Sequence, residues 1–318
     1  MGRSQFARFA WGLLAYNIPV ILWGAYVRAS YSGDGCGANW PFCNGIVLPQ
    51  HMAAPMAIEF THRATTSLDV IATVAMCVWA FVIYPRRHAV RRYAVLSLVF
   101  LLIEAALGAG LVLLRYVAKD QSAGRAWYLS AHLTNTMLLL AALTATAWFA
   151  NRIVEQVEFQ RMQKTVAGSL GTALIVSITG ALAALGDTLF PAVSLARGVA
   201  QDFSRASSGL LRLRLLHPAV AVIGSAYIIW AASCIVRESN SREERDGARL
   251  VVVLALLQIG VGALNIGLLA PIWLQLAHLF VADVLWISLV VLGLQSASLL
   301  YGRPANELRR EEATADRR

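Results

Sequence analysis

The chain has 318 residues, of which 58% are hydrophobic and 14% charged, with a mean hydropathy of +0.60. Soluble domains carry about 25% charged residues, so a water-soluble enzyme is excluded and lipid is the expected solvent. The formal charge of +9 does not point to nucleic acid, because the basic residues fall in short segments between apolar runs, where membrane topology accounts for them.

A membrane-crossing helix needs about 20 largely apolar residues. Eight stretches qualify, at roughly 11–29, 57–84, 94–114, 126–150, 166–185, 215–236, 249–270 and 272–300. Arg3 and Arg8 precede the first, which carries Trp11, Tyr16, Trp23 and Tyr26 and reads as an uncleaved signal-anchor rather than a cleaved secretory signal. An even number of spans puts both ends on one side. Arg-rich connections such as Arg86-Arg87-His88-Ala89-Val90-Arg91-Arg92 make that side the cytoplasm, N-in and C-in. A prokaryotic plasma membrane is the expected location. Residues 303–318 form a charged cytoplasmic tail without periodicity.

The two halves resemble each other. Leu102-Ile103-Glu104-Ala105-Ala106-Leu107-Gly108-Ala109-Gly110 in the third span is similar to Leu256-Leu257-Gln258-Ile259-Gly260-Val261-Gly262-Ala263-Leu264 in the seventh. Gly24-Ala25 in the first span is echoed by Gly180-Ala181 in the fifth. Small residues recur in membrane helices for close packing, but the common offset implies a duplication. The expected fold is therefore an all-α polytopic membrane protein of eight transmembrane helices, arranged as two pseudo-symmetric four-helix bundles. Its parts are an N-terminal half (1–150), a cytoplasmic linker (151–165), a C-terminal half (166–302) and the tail.

Of six histidines, His51 in the first outer loop and His88 in an inner loop read as solvated. His62, His132, His217 and His278 instead lie near the starts of spans 2, 4, 6 and 8, at one membrane depth on alternate helices. An ionisable group within a span is a functional hypothesis by default. Taken singly, each could be an interhelical hydrogen-bonding residue; four at one depth point to pairs of imidazoles holding haem iron between helices. Zinc would call for converging Cys or carboxylate ligands, which are not placed among these four.

Glu59 precedes His62 by one helical turn. It is either a carboxylate favoured by the helix N-terminus or an acid/base group beside a reacting substituent. Arg28 and Arg63, at outer span ends, can pair with haem propionates or snorkel to headgroups. Glu104 reads as packing against a polar neighbour. Cys77 and Cys234 lie in spans as apolar packing residues, whereas Cys36 and Cys43 share the outer loop, where an oxidising compartment permits a disulfide, and a reduced pair is the alternative.

The run Trp23-Gly24-Ala25-Tyr26-Val27-Arg28 through Cys36-Gly37-Ala38-Asn39-Trp40-Pro41-Phe42-Cys43, then Glu59-Phe60-Thr61-His62-Arg63, resembles the signature of the haem A synthases. Ala131-His132, Gly186-Asp187-Thr188-Leu189-Phe190-Pro191, Leu216-His217-Pro218 and Ala277-His278 match in order, so the resemblance runs from about residue 11 to 300. One departure is that Gly37-Ala38-Asn39 precedes Trp40 where many members read Cys-Pro-Asp-Trp-Pro. The resemblance implies oxidation of a methyl group of haem O to a formyl group by successive hydroxylations, giving haem A for terminal oxidases. It also implies that His62 and His132 flank the substrate haem, that His217 and His278 ligate a haem b cofactor, that Glu59 assists the chemistry, and that Cys36 and Cys43 form a redox-sensitive disulfide. The implied partners are haem O, a haem O synthase, a membrane electron acceptor and the lipid bilayer, with no nucleic acid. A non-catalytic diheme b electron carrier and a haem transporter or chaperone are the alternatives.

Overall fold

The computed structural model describes residues 2–152, 164–204 and 209–299; all but the ends of the linker 151–165, and the whole tail 303–318, lie outside the described residues. The chain forms α1 (Arg3–Ala29), α2 (Ala54–Ile83), α3 (Ala89–Leu113), α4 (Ala123–Phe149), α5 (Lys164–Leu189), α6 (Leu195–Asp202), α7 (Gly209–Glu238), α8 (Arg242–Gly267) and α9 (Ile272–Leu299). Eight of these, all but α6, are long and apolar enough to cross a membrane, which matches the eight stretches read from hydropathy.

Helix ends extend beyond the apolar runs because polar side chains satisfy the free backbone groups there. The Gln5 side chain accepts from the Gly2 amide (3.0 Å) where α1 begins, and the hydroxyls of Ser122 and Ser241 accept from the amides of Arg125 (3.2 Å) and Glu244 (3.4 Å) at the starts of α4 and α8. His88, expected to be solvated, is buried: its Nδ1 caps α3 by accepting from the Val90 amide (3.2 Å), and its ring lies 4.5 Å from that of Tyr84. The reason is that the α2–α3 connection folds onto the helix ends, and an imidazole fills that corner with both a cap and an aromatic face.

Helices α1 to α4 pack in a closed ring, each on its neighbours with α4 returning to α1; α5, α7, α8 and α9 form a second such ring. The rings meet along α1 and α4 on one side and α5 and α9 on the other. Packing is tightest toward one end of the first ring. There Phe6 meets Trp79 and Tyr84 edge-on, Tyr93 stacks on Phe149, and α4 is continuously buried from Asn135 to Phe149 except at Leu138 and Ala141. The opposite half of α4, where His132 lies, is mostly half-buried. The interior is therefore closed at the cap of α3 and open toward the histidines.

Helix α6 was not anticipated. It is an eight-residue helix in the connection between α5 and α7, begun by the Ser194 hydroxyl accepting from the Arg197 amide at 3.3 Å. Leu195, Val199 and Phe203, four residues apart, are exposed along one side of it.

Candidate functional site

Each of the four span histidines is half-buried and seated against a glycine of the neighbouring helix. A methyl group added at Gly24 would lie 2.9 Å from His62 Cε1, at Gly180 3.1 Å from His217 Cε1, and at Gly262 3.0 Å from His278 Cε1; at Gly108 it would stand 3.9 Å from His132 Nε2. The Gly24 contact is closer than carbon atoms tolerate and the next two are tighter than usual, so the missing side chain lets each ring approach the helix closely. These are the same glycines that carry the internal repeat in the sequence. The small-residue motifs and the histidines are thus one feature, a connection that spacing alone did not make.

Second-layer groups adjoin two of the rings. The Glu104 carboxylate lies 2.9 Å from His132 Nδ1 and also accepts from Asn135 Nδ2 (2.5 Å) and the Thr136 hydroxyl. The Thr179 hydroxyl, which donates to the Val176 carbonyl (2.8 Å), is 3.1 Å from His217 Nδ1 and so accepts its proton. At His217 this holds the proton at Nδ1 and leaves the Nε2 lone pair free, whereas His132 Nδ1 faces the Glu104 carboxylate without a hydrogen bond. Glu104 was expected to do no more than pack on a polar neighbour; its place in the seventh span is taken by Gln258, whose amide faces His278 Nε2 at 3.3 Å.

The residues fit an iron porphyrin. The rings of His217 and His278 lie edge-on with centroids 6.4 Å apart and planes at 76°, and imidazole is a donor suited to iron. His62 Nδ1, His278 Nδ1 and Gln258 Oε1 are buried with no hydrogen-bond partner among the described residues, a condition that costs about 1–3 kcal/mol per group unless a ligand relieves it. In the first ring, His132 and Glu104 are both within electrostatic reach of His62.

Among the described residues, only the first ring carries a disulfide-closed loop. Cys36 and Cys43 are joined by a disulfide, and the loop they close is tied to α2 by a buried acid. Glu59, 3% exposed, accepts from the Cys36 amide (2.8 Å) through one oxygen and from Arg63 Nη2 (2.5 Å) and Nε (3.1 Å) through the other. Arg63 also donates to the carbonyls of Asn39 (2.7 Å) and Phe42 (3.1 Å). Its guanidinium is therefore tied to the loop, within one turn of His62. Gly37 has φ +63°, and a methyl group there would lie 2.5 Å from Asn44 Oδ1. The departure from Cys-Pro-Asp-Trp-Pro thus includes a left-handed position that favours glycine.

Arg28 points from α1 across to the second ring. Its Nη1 donates to the Ala184 carbonyl (2.7 Å) and the Thr188 hydroxyl (2.6 Å) of α5, and its Nη2 to Gln275 Oε1 (3.2 Å) of α9, one turn before His278. Tyr31 joins it by donating to the Thr188 carbonyl. Sequence reasoning found this arginine but not its partners, which lie about half a chain away.

Comparison with known proteins places these features in a family. A protein of Thermus thermophilus named protoheme IX farnesyltransferase is 38% identical over 297 residues, covering 91% of this chain and 48% of its own. The chain thus spans about half the length of that relative and of its counterpart in a second strain of the same species. Proteins named heme A synthase from Exiguobacterium sp. and Staphylococcus carnosus are each 29% identical, over 77% and 78% of this chain and 77% and 79% of their own. The profile of COX15-CtaA, described as cytochrome oxidase assembly protein, matches residues 7–290, a stretch that includes all four histidines, Glu59 and the disulfide. The chain belongs to the COX15-CtaA family.

Proposed function

We propose that this chain is a haem A synthase, oxidising a ring methyl of haem O to a formyl group by successive hydroxylations. The observation that carries this reading is an asymmetry. Both rings present a histidine pair facing glycines, but among the described residues only the first sets a buried glutamate one turn from a histidine and ties it to a disulfide loop. A diheme electron carrier needs the four histidines and has no use for that addition. A haem transporter would want exchangeable ligands, whereas Thr179 holds the His217 imidazole in one orientation.

In this reading the two rings are a duplicated four-helix unit, inserted N-in and C-in in the plasma membrane, with the histidines toward the outer face. His62 and His132 flank the substrate haem. His217 and His278 hold a haem b cofactor, which when bound supplies single-electron transfer. Thr179 keeps Nε2 of His217 directed at the metal. Glu59 positions the loop through the Cys36 amide and, one turn before His62, is the carboxylate we assign to take a proton from a group reacting there. Arg28, at the seam, and Arg63, which also braces the loop, are the basic groups we assign to the haem propionates. The spaces between helices admit a farnesylated substrate from the bilayer. Because the Thermus relatives are about twice as long and are named for farnesyl transfer to protohaem, a haem O synthase is the natural partner, together with a membrane electron acceptor.

The test is pigment extraction and mass spectrometry of the purified protein. The synthase should carry haem b together with haem O, haem A or a hydroxylated intermediate; two equivalents of haem b alone would make it a carrier. His217→Ala should abolish the tightly held haem b, and Glu59→Ala should retain it while haem A formation stops. Haem A formed at the normal rate by the glutamate variant would remove Glu59 from the chemistry.

A further inference from the structure

Far from the histidines along α7, a trough of about 450 Å3 opens between α7 and α8, near the short turn that joins them. This is within the size range of small-molecule sites, about 300–1,000 Å3. Its walls are Ser233, Val236 and Arg237 of α7 and Arg249, Val252 and Val253 of α8. In each helix the three positions are i, i+3 and i+4, so each set is one continuous face, and the trough runs along both helices rather than across them. Its apolar part faces lipid, with Val253 60% exposed.

The charges around it are unequal. Asp246 is shared by Arg249 Nη1 (2.9 Å) and Arg242 Nε (3.6 Å). Glu243 is held by Arg152 (2.6 Å), and Glu244 by the hydroxyls of Ser239 and Ser296. Glu238 adjoins Arg237 in sequence but lies about 100° round the helix and does not line the trough. Arg237 makes no hydrogen bond or ion pair among the described residues. The trough therefore offers two guanidinium groups at an interfacial depth, one carboxylate shared among neighbours, and an apolar floor.

We propose that this trough seats one anionic phospholipid, its phosphate on Arg237 and Arg249 and an acyl chain along Val236, Val252 and Val253. A phosphodiester offers two oxygens that match the planar guanidinium fork, and the surplus positive charge selects a headgroup with net negative charge over a zwitterionic one. Basic pockets between spans are suited to this chemistry. The inference needs only the membrane fold and is independent of the haem reading.

Native mass spectrometry of the full chain, stripped with neutral detergent and titrated with phosphatidylglycerol, phosphatidylcholine or inorganic phosphate, tests it. One phosphatidylglycerol per chain should be retained in preference to phosphatidylcholine, and inorganic phosphate should not displace it. Arg237→Gln/Arg249→Gln should weaken retention roughly thirtyfold, the loss of two basic contacts. Val253→Trp, which keeps both arginines and fills the floor, should abolish retention with haem content unchanged. Equal binding of phosphatidylcholine, displacement by phosphate, or undiminished retention in either variant would each overturn the proposal.

Discussion

At the scale of single residues, the site depends on atoms that are missing as much as on those present. The Gly180 contact crowds a methyl group, since Cβ would stand 3.1 Å from His217 Cε1 and 3.5 Å from Nε2 and the ring would have to shift by a few tenths of an ångström. Gly180→Ala is a good helix substitution in isolation, so loss of the fold is not expected; the ring must give way instead. The predicted result is a variant with unchanged helix content and markedly reduced haem b per chain, read from the absorbance of the purified protein. Gly171, with open space around it, is the control: Gly171→Ala should keep its haem. Arg63 shows the opposite case, a residue whose partners are all present. Arg63→Ala leaves Glu59, 4% exposed at its side chain, as a buried carboxylate without its cation, a change that costs about 3–5 kcal/mol. A thermal unfolding scan should show a lowered midpoint, and Arg63→Lys should recover only part of it because a single ammonium cannot replace the guanidinium fork.

At the scale of elements, hydropathy made the spans legible because the bilayer imposes a length on every crossing segment. Their ends were less so, as α1 begins at Arg3 and α7 at Gly209, ahead of the continuous apolar runs. Helix α6 escaped notice for a related reason: eight residues are too few to cross lipid, and its repeat of Leu195, Val199 and Phe203 is visible only to someone already asking what lies in that connection. The histidine depth was readable from span starts alone, whereas the pairing of Glu104 with His132 and of Thr179 with His217 needed side-chain geometry. The disulfide loop is an element in its own right, held by Cys36–Cys43, by the Cys43 amide donating to the Ile46 carbonyl (3.2 Å), and by the Glu59 contact to the Cys36 amide. Cys36→Ser should loosen this loop without touching the second ring. The predicted outcome is slower haem A formation with haem b retained in full; an unchanged rate would reduce the bridge to a structural staple.

At the scale of the whole molecule, the question is what makes two helix rings one body. The offset repeat gave an expectation of duplication, but it gave no sign of the seam, whose contacts join residues 156 and 149 positions apart. Several polar contacts cross it, and two of them lie at different depths. Arg28 ties α1 to α5 and to Gln275 of α9, and Trp286 Nε1 of α9 donates to the Met137 carbonyl of α4 at 2.8 Å. Gln275 and Trp286 are eleven residues apart on α9, about 16 Å along the helix axis. Contacts separated by more than about 7–10 Å with no shared partner contribute additively to stability. If the rings dock as rigid bodies, Arg28→Ala should cost roughly 3 kcal/mol through its charge-assisted bonds, and Trp286→Phe about 1 kcal/mol through a neutral one. The double variant should then show their sum to within about 0.5 kcal/mol. A double-mutant cycle on reversible unfolding in detergent measures this. A coupling clearly larger than that would mean that α9 tilts as one lever between the two histidine sites, and the rings would have to be treated as mechanically joined rather than merely adjacent.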